Sequence, residues 1–112
     1  KKGCWVQFFG RAASTHKAVS LFSLGSEAPT MVSYARRIGK PLQYEVGPQA
    51  ICDPQESGFA LRTVPLLAQW YTDELENLIR EAPEQYWWLH RRWKGQPTAR
   101  ALKRSSTTPA AA

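Results

Sequence analysis

Within Pro83-Glu84-Gln85-Tyr86-Trp87-Trp88-Leu89-His90-Arg91-Arg92-Trp93-Lys94 stand three of the chain's five tryptophans, interleaved with His90 and three permanent cations. Indole rings lose free energy when left in water, whereas guanidinium and ammonium groups lose it when buried. A segment carrying both at this density has to lie at a boundary, with an apolar phase on one side and water or anionic groups on the other. A membrane surface, a protein interface and a stacked nucleic acid all satisfy that condition. The rest of the chain must choose among them.

At 112 residues, 43 % of them hydrophobic, the chain has the size and apolar content of one small domain with a core. No run approaches the roughly 18 apolar residues of a transmembrane helix. Lys1-Lys2-Gly3-Cys4-Trp5 has no initiator Met, and the apolar run it enters is too short for a signal-peptide core. It reads as an internal strand, so the chain is expected to be part of a longer one. Net charge is +6, and its placement is informative. Arg91, Arg92, Lys94, Arg100, Lys103 and Arg104 face no acid in their stretch, while the other nine cations are matched by nine carboxylates. A basic end of this kind seeks phosphates, of lipid or of nucleic acid. Cys4 and Cys52 form neither a CxxC nor a Cys/His cluster, so no metal or cofactor is expected and both should be free thiols.

Cys4-Trp5-Val6-Gln7-Phe8-Phe9 is rich in β-formers and ends at Gly10, as a strand before a turn should. Residues 10–15 read as a loop, with Thr15, or failing it Ser14, as N-cap of a helix over residues 16–26 that buries Ala18, Val19, Leu21, Phe22 and Leu24 and stops near Gly25. Residues 30–35 read as a second strand. After the turn Gly39-Lys40-Pro41, Leu42-Gln43-Tyr44-Glu45-Val46 alternates as a third, with Ala50-Ile51-Cys52 extending the sheet. A helix crossing between the first two strands implies a parallel pair, and the short link implies an antiparallel second pair. Thr63-Val64-Pro65 opens an amphipathic helix to about Ala82, with Leu67, Trp70, Tyr71, Leu75, Leu78 and Ile79 on its apolar face. Gln69, Thr72, Asp73, Glu76 and Arg80 lie opposite. Pro83 then starts a short aromatic-basic helix. The expected architecture is α/β: a partial mixed sheet with flanking helices in residues 1–97, then a disordered basic, low-complexity tail over 98–112.

No catalytic constellation is complete. His16 has no neighbouring acid and His90 is surrounded by cations, so each reads as structural. Asp73, Glu74 and Glu76 crowd one helix start, and only Glu74 projects toward the apolar arc. In the aromatic-basic segment, helical spacing would dock Tyr86, Leu89 and Trp93 on the protein. Trp87, Arg91 and Lys94 would share a second face, with Trp88 and Arg92 on a third. The tryptophans are then either core beneath solvated cations, or indoles at headgroup depth with Arg and Lys on lipid phosphates or a charged carrier protein. No standard nucleic-acid module fits the pattern.

The same segment, with its lead-in Leu78-Ile79-Arg80-Glu81-Ala82, resembles the C-terminal signature of the lipid A biosynthesis (lauroyl/myristoyl) acyltransferase family. Phe8-Phe9-Gly10-Arg11-Ala12-Ala13-Ser14-Thr15 is similar to that family's Phe-Phe-Gly-Arg-Pro-Ala-x-Thr block, with Ala12 in place of the proline. Glu27-Ala28-Pro29-Thr30-Met31-Val32 resembles the strand that follows it. The resemblance implies the C-terminal half of a glycerolipid-acyltransferase-like fold, at the cytoplasmic face of a bacterial inner membrane. It implies transfer of a fatty acyl chain from an acyl thioester, with acyl carrier protein as partner, to a hydroxyl of a lipid A precursor or related lipid acceptor. The family's catalytic His-x4-Asp/Glu motif is not in this chain: five residues after His16 stands Leu21, and five after His90 stands Gly95. No catalytic residue is therefore expected here, and the chain alone should be inactive. Arg11 and Thr15 are the expected substrate-binding residues, Arg11 because guanidinium suits phosphate bidentately. Trp87, Trp88, Arg91, Arg92, Trp93 and Lys94 are expected to serve packing and an anionic membrane surface. The alternative is a non-enzymatic basic module binding such surfaces. In the complete enzyme, Arg11→Ala should lower kcat/KM about tenfold or more, on the order of 1.4 kcal/mol; unchanged kinetics would take Arg11 out of the site.

Overall fold

A computed structural model describes residues 3–106. Two antiparallel hairpins flank one long helix. The first pairs β1 (Gly3–Phe8) with β2 (Arg11–His16), from Phe8 opposite Arg11 to Gly3 opposite His16. Its two-residue turn places Phe9 and Gly10 at φ 51° and 70°. Positive φ at both positions is the type I′ geometry that matches strand twist. Gly10 adopts it freely, whereas a bulky residue there is strained by about 1–2 kcal/mol.

Helix α1 (Ala18–Ser26) leads to the second hairpin, β3 (Thr30–Arg37) and β4 (Tyr44–Cys52). Between Val32 and Ser33 the register shifts, leaving Gln49 as the extra residue on β4. Pro48 sits beside this bulge, where its missing N–H is tolerated. At Gly47 an added Cβ would come 3.3 Å from the Tyr34 hydroxyl, so a side chain there would push the tyrosine aside by a few tenths of an ångström.

Helix α2 (Val64–Glu81) holds the two hairpins together. Thr63 caps it, its Oγ1 accepting from the Leu66 N–H at 3.4 Å, and Pro65 occupies the first turn as the sequence pattern predicts. Leu67, Ala68, Thr72 and Ile79 are buried. Full burial of a side chain such as Leu67 contributes about 1.5–3 kcal/mol. Phe8, Ala13 and Ile79 form a core packed by Phe9, Leu75, Tyr86 and Trp93. The chain continues through a 3₁₀ turn (Pro83–Gln85) to α3 (Ala99–Ser106), where an unstructured tail over 98–112 was expected; residues 107–112 of that stretch lie outside the described residues.

Several expectations are corrected by the structure. Residues 11–16 are a strand and not a loop, so Thr15 does not cap α1. Lys17 takes that position without a side-chain bond. With one edge of β1 filled by β2 and the other met by α2 side chains, β3 has no place beside β1. The mixed sheet with a parallel pair is replaced by two separate antiparallel sheets. Helix α1 ends at Ser26, the expected bound, and Glu27, not Gly25, supplies the left-handed residue that stops it, at φ 53°. It buries its small Ser20 and Ser23 and leaves Val19, Leu21 and Phe22 exposed, the reverse of the expected face. Serines let α1 approach α2 closely, where the larger side chains would not fit.

The polar face of α2 is also not simply solvated. Gln69 Oε1 accepts from the Gln7 N–H at 2.8 Å while its Nε2–H donates to the Gln7 carbonyl at 2.9 Å. Gln85 repeats this clasp on β3, accepting from the Arg37 N–H and donating to its carbonyl. Each amide acts as a one-residue strand partner. Gln69→Ala should destabilise the fold by about 0.5–1.5 kcal/mol in urea unfolding, since it removes the two bonds that hold α2 against the exposed edge at Gln7.

On the other sheet, Tyr34 donates to Glu45 at 2.7 Å, and Arg36 bridges Glu45 to Glu81 on α2. The Tyr34 hydroxyl, and then the Arg36 guanidinium, hold the Glu45 carboxyl below its usual range. A lowered folded-state pKa contributes stability above the unfolded value, near 4.3, that is lost as pH falls through the folded one. The destabilisation caused by Tyr34→Phe should therefore be larger at about pH 6 than at about pH 3 in parallel urea titrations.

Candidate functional site

The tip of the first hairpin and the segment after Tyr86 are folded around each other. Phe8 is fully buried at the end of β1. The Trp93 ring stacks on it at 5.2 Å with 23° between planes, and its Nε1–H donates to the Phe8 carbonyl at 3.1 Å. Tyr86 meets the Phe8 ring edge-on, and the Arg92 guanidinium lies 5.4 Å from its centroid. Arg92 also reaches β2: Nη1 donates to the Ser14 carbonyl at 2.8 Å and Nη2 to Thr15 Oγ1 at 2.6 Å.

Phe9, in its left-handed turn, is held from the other side. Its N–H donates to Glu76 Oε1, and Arg80, paired with Glu76 at 3.2 Å, lies 4.8 Å over its ring. Trp88 packs against Phe9 and Tyr86 while its Nε1–H donates to the Pro83 carbonyl at 2.7 Å. These contacts fix a conformation that phenylalanine does not choose on its own.

The segment is not the expected helix. After the 3₁₀ turn it advances through tight turns, with Trp88 N–H on the Tyr86 carbonyl and Arg92 N–H on the His90 carbonyl. Trp93 and Arg92 are neighbours that must reach carbonyls on two different strands, which one helical face would not allow. Of the expected docking stripe, Tyr86 and Trp93 pack against the core, whereas Leu89 is 80 % exposed. Trp88, Arg92 and Trp93 thus anchor the hairpin. Trp87, 69 % exposed, points away with Leu89.

The two expected substrate residues are separated. Arg11 and Thr15 share a face of β2, about 13 Å apart at strand rise. Thr15 is engaged by Arg92, and Arg11 stands exposed beside the turn. Glu74 accepts from Gln49 Nε2 at 3.4 Å, a link between α2 and β4. Sequence reasoning missed Gln69, Glu76 and Arg80 as supports of the hairpin. The Glu76–Arg80 pair was visible at i,i+4, but only the fold brings Phe9 to it.

Two hollows adjoin the anchored segment. The larger, about 770 Å3, lies between the end of β2 and residues 90–96 and is lined by His16, His90, Arg91 and Lys94 beside Trp5 and Tyr71. The smaller, about 420 Å3, is lined by Cys4, Trp5, Leu21, Val64 and Pro65 together with the polar Lys17 and Thr98. Trp5 and Gln96 border both. Burial pushes the Cys4 thiol up, against the opposing pull of Lys17 and Arg92, so it stays protonated at neutral pH and is no nucleophile. Burial also raises the Tyr71 hydroxyl, which donates to the His16 carbonyl at 3.3 Å. The arrangement can bind an anion, but it holds no base–nucleophile pair among the described residues.

Among known proteins, residues 1–95 match the family described as bacterial lipid A biosynthesis acyltransferase. A lipid A biosynthesis lauroyltransferase of Escherichia coli (strain K12) is 43 % identical over 51 residues, which is 46 % of this chain and 17 % of that protein. The match spans less than a fifth of the relative's length. No solved structure matches the chain.

Because Arg92 and Thr15 bond to each other, their substitutions should not add. Arg92→Ala should lower stability by about 1.5–3 kcal/mol and Thr15→Val by about 1, with the double variant falling short of their sum in a double-mutant cycle.

Proposed function

The chain belongs to the bacterial lipid A biosynthesis acyltransferase family, and from that membership we propose that it is the C-terminal portion of an enzyme that acylates a lipid A precursor or related lipid. The donor is an acyl thioester on acyl carrier protein, and the site of action is the cytoplasmic face of the inner membrane. One observation carries the reading beyond the match itself. The two blocks that resemble the family, residues 8–15 and 83–94, are far apart in sequence and packed together in space, Trp93 on Phe8 and Arg92 on Thr15.

In this enzyme the chemistry starts from a histidine and acid contributed by a preceding part of the polypeptide. The histidine takes the proton of the acceptor hydroxyl as its oxygen attacks the thioester carbonyl; the C–S bond then breaks, the carrier leaves as a thiol on receiving that proton, and the acyl chain remains as an ester on the acceptor. The present residues complete the binding surface. Arg11, free at the hairpin tip, is placed to hold a phosphate or the charge that develops on the carbonyl oxygen. The 112-residue chain expressed by itself is inactive.

The exposed Trp87 and Leu89, close in sequence to Arg91 and Lys94, support contact with anionic lipid. No helix among the described residues is long and apolar enough to cross a membrane, so the contact proposed is with its surface. The same exposed group favours the second reading, a basic lipid-binding module without catalysis.

The complete reading frame separates the two. A His-x4-acid motif upstream of Lys1, with acyl transfer from acyl carrier protein by the full-length product, supports the enzyme; absence of both leaves the binding module. Trp87→Ser together with Leu89→Ser should lower partitioning onto vesicles containing anionic lipid severalfold without changing Tm, because both side chains are exposed. Tight DNA binding without lipid binding would count against both readings.

A further inference from the structure

Nothing grips the side chain of Arg11 at the hairpin tip. It is exposed and takes part in no side-chain hydrogen bond or ion pair among the described residues. Where its guanidinium points is therefore decided by the backbone, through the two-residue turn that sets Arg11 opposite Phe8.

That turn is one its own residues do not select. Type I′ asks for positive φ at both central positions, which Asn-Gly or Gly-Gly supplies readily and phenylalanine does not. Phe9 nevertheless stands at φ 51°, with Gly10 at 70°. A competing turn is open to the same stretch: a three-residue loop over Phe8-Phe9-Gly10, with Gly10 alone in the left-handed region and a bulge behind it. It would relieve Phe9 and set Arg11 opposite Gln7. A slip of one residue turns a side chain to the opposite face of a ribbon, and Arg11 would turn with it.

Three side chains exclude that alternative. Glu76 divides its carboxylate: Oε1 accepts from the Phe9 N–H, and Oε2 pairs with Arg80 at 3.2 Å. The Arg80 guanidinium lies 4.8 Å from the centroid of the Phe9 ring, and Trp88 packs on that ring at 6.0 Å. One ion pair thus holds both the backbone and the ring of a single strained residue. Two residues earlier, at Gln7, the neutral amide of Gln69 suffices to support the edge. At Phe9 a carboxylate does what an amide cannot, because its second oxygen draws Arg80 over the ring.

We infer that Glu76 and Arg80 are positioning residues for Arg11: they impose the turn that presents its guanidinium to an anionic group of the bound substrate. This role rests on the acyltransferase reading and on Arg11's part in it. A positioning residue costs no more than the group it acts through, and its effect vanishes once that group is gone.

The full-length protein is assayed for acyl transfer in two backgrounds, wild type and Arg11→Ala. Glu76→Gln keeps an acceptor for the Phe9 N–H and removes the charge that holds Arg80. It should lower kcat/KM about fivefold in the wild-type background and less than about twofold beside Arg11→Ala. It should also move the same parameter, kcat or KM, that Arg11→Ala moves. Arg80→Met should follow the same pattern. Phe9→Asn gives the turn the pair that selects type I′ unaided, so adding it to Glu76→Gln should restore most of the activity. Amide exchange, read by mass spectrometry without reference to activity, should quicken over residues 7–12 in Glu76→Gln and slow again with Phe9→Asn. Urea unfolding verifies that each variant is folded. An equal fold-loss from Glu76→Gln in both backgrounds, or no loss in the first, overturns the positioning role and leaves the enzyme standing. Restored exchange without restored activity overturns it as well. Absence of transfer by the wild type is the separate failure of the acyltransferase reading, and this role falls with it.

Discussion

A two-stranded hairpin is at best marginally stable alone in water, because both of its outer edges and both of its faces remain open. β1 and β2 are stable only because side chains from elsewhere occupy those positions. Gln69 and Glu76 meet the outer edge of β1 at Gln7 and Phe9, Trp93 covers Phe8, and Arg92 closes on Ser14 and Thr15. Polar residues on α2 and aromatic residues after it therefore act in place of further strands. The position of Arg11, the Phe9 turn and both hollows follow from that support.

How much of this was legible depended on whether the signal was local. The Thr63 cap with Pro65, the alternation after Leu42 and the β-formers of residues 4–8 each sit within a few neighbours of the structure they dictate. α2, β4 and β1 follow accordingly. β2 is different: Arg11-Ala12-Ala13-Ser14-Thr15 carries little intrinsic strand preference and becomes a strand because Phe9-Gly10 folds it back onto β1. The face of α1 was misjudged because its pattern was weighed by hydrophobicity alone, whereas the contact with α2 demanded small residues at Ser20 and Ser23. The aromatic-basic segment was expected to dock on the protein as a short helix, and it docks without being one. Its partners lie on two strands some eighty residues away, and periodicity holds no information about them.

The six residues assigned to packing and membrane contact divide cleanly once the fold is seen. Trp88, Arg92 and Trp93 have their polar atoms bonded inward, to Pro83, Ser14, Thr15 and Phe8. Trp87, Arg91 and Lys94 do not. Adjacent cations in the sequence thus have opposite placements, because a guanidinium can be half-buried when its donors find a carbonyl and a hydroxyl. Composition cannot separate Arg91 from Arg92, but geometry does so at once.

The bond from Trp93 to Phe8 spans 85 residues. Closing a loop of that length carries an entropy penalty of about 4 kcal/mol, so the contact is expected to form late among the tertiary interactions. During synthesis the N-terminal hairpin leaves the ribosome long before its cover exists, and it must wait with Phe8 uncovered and the Phe9 turn unheld. A premature stop before Trp93 would then do more than shorten the protein at its basic end. It would strand the earlier-made hairpin of this segment without its lid, and the damage would appear as clearance of the whole polypeptide by proteases.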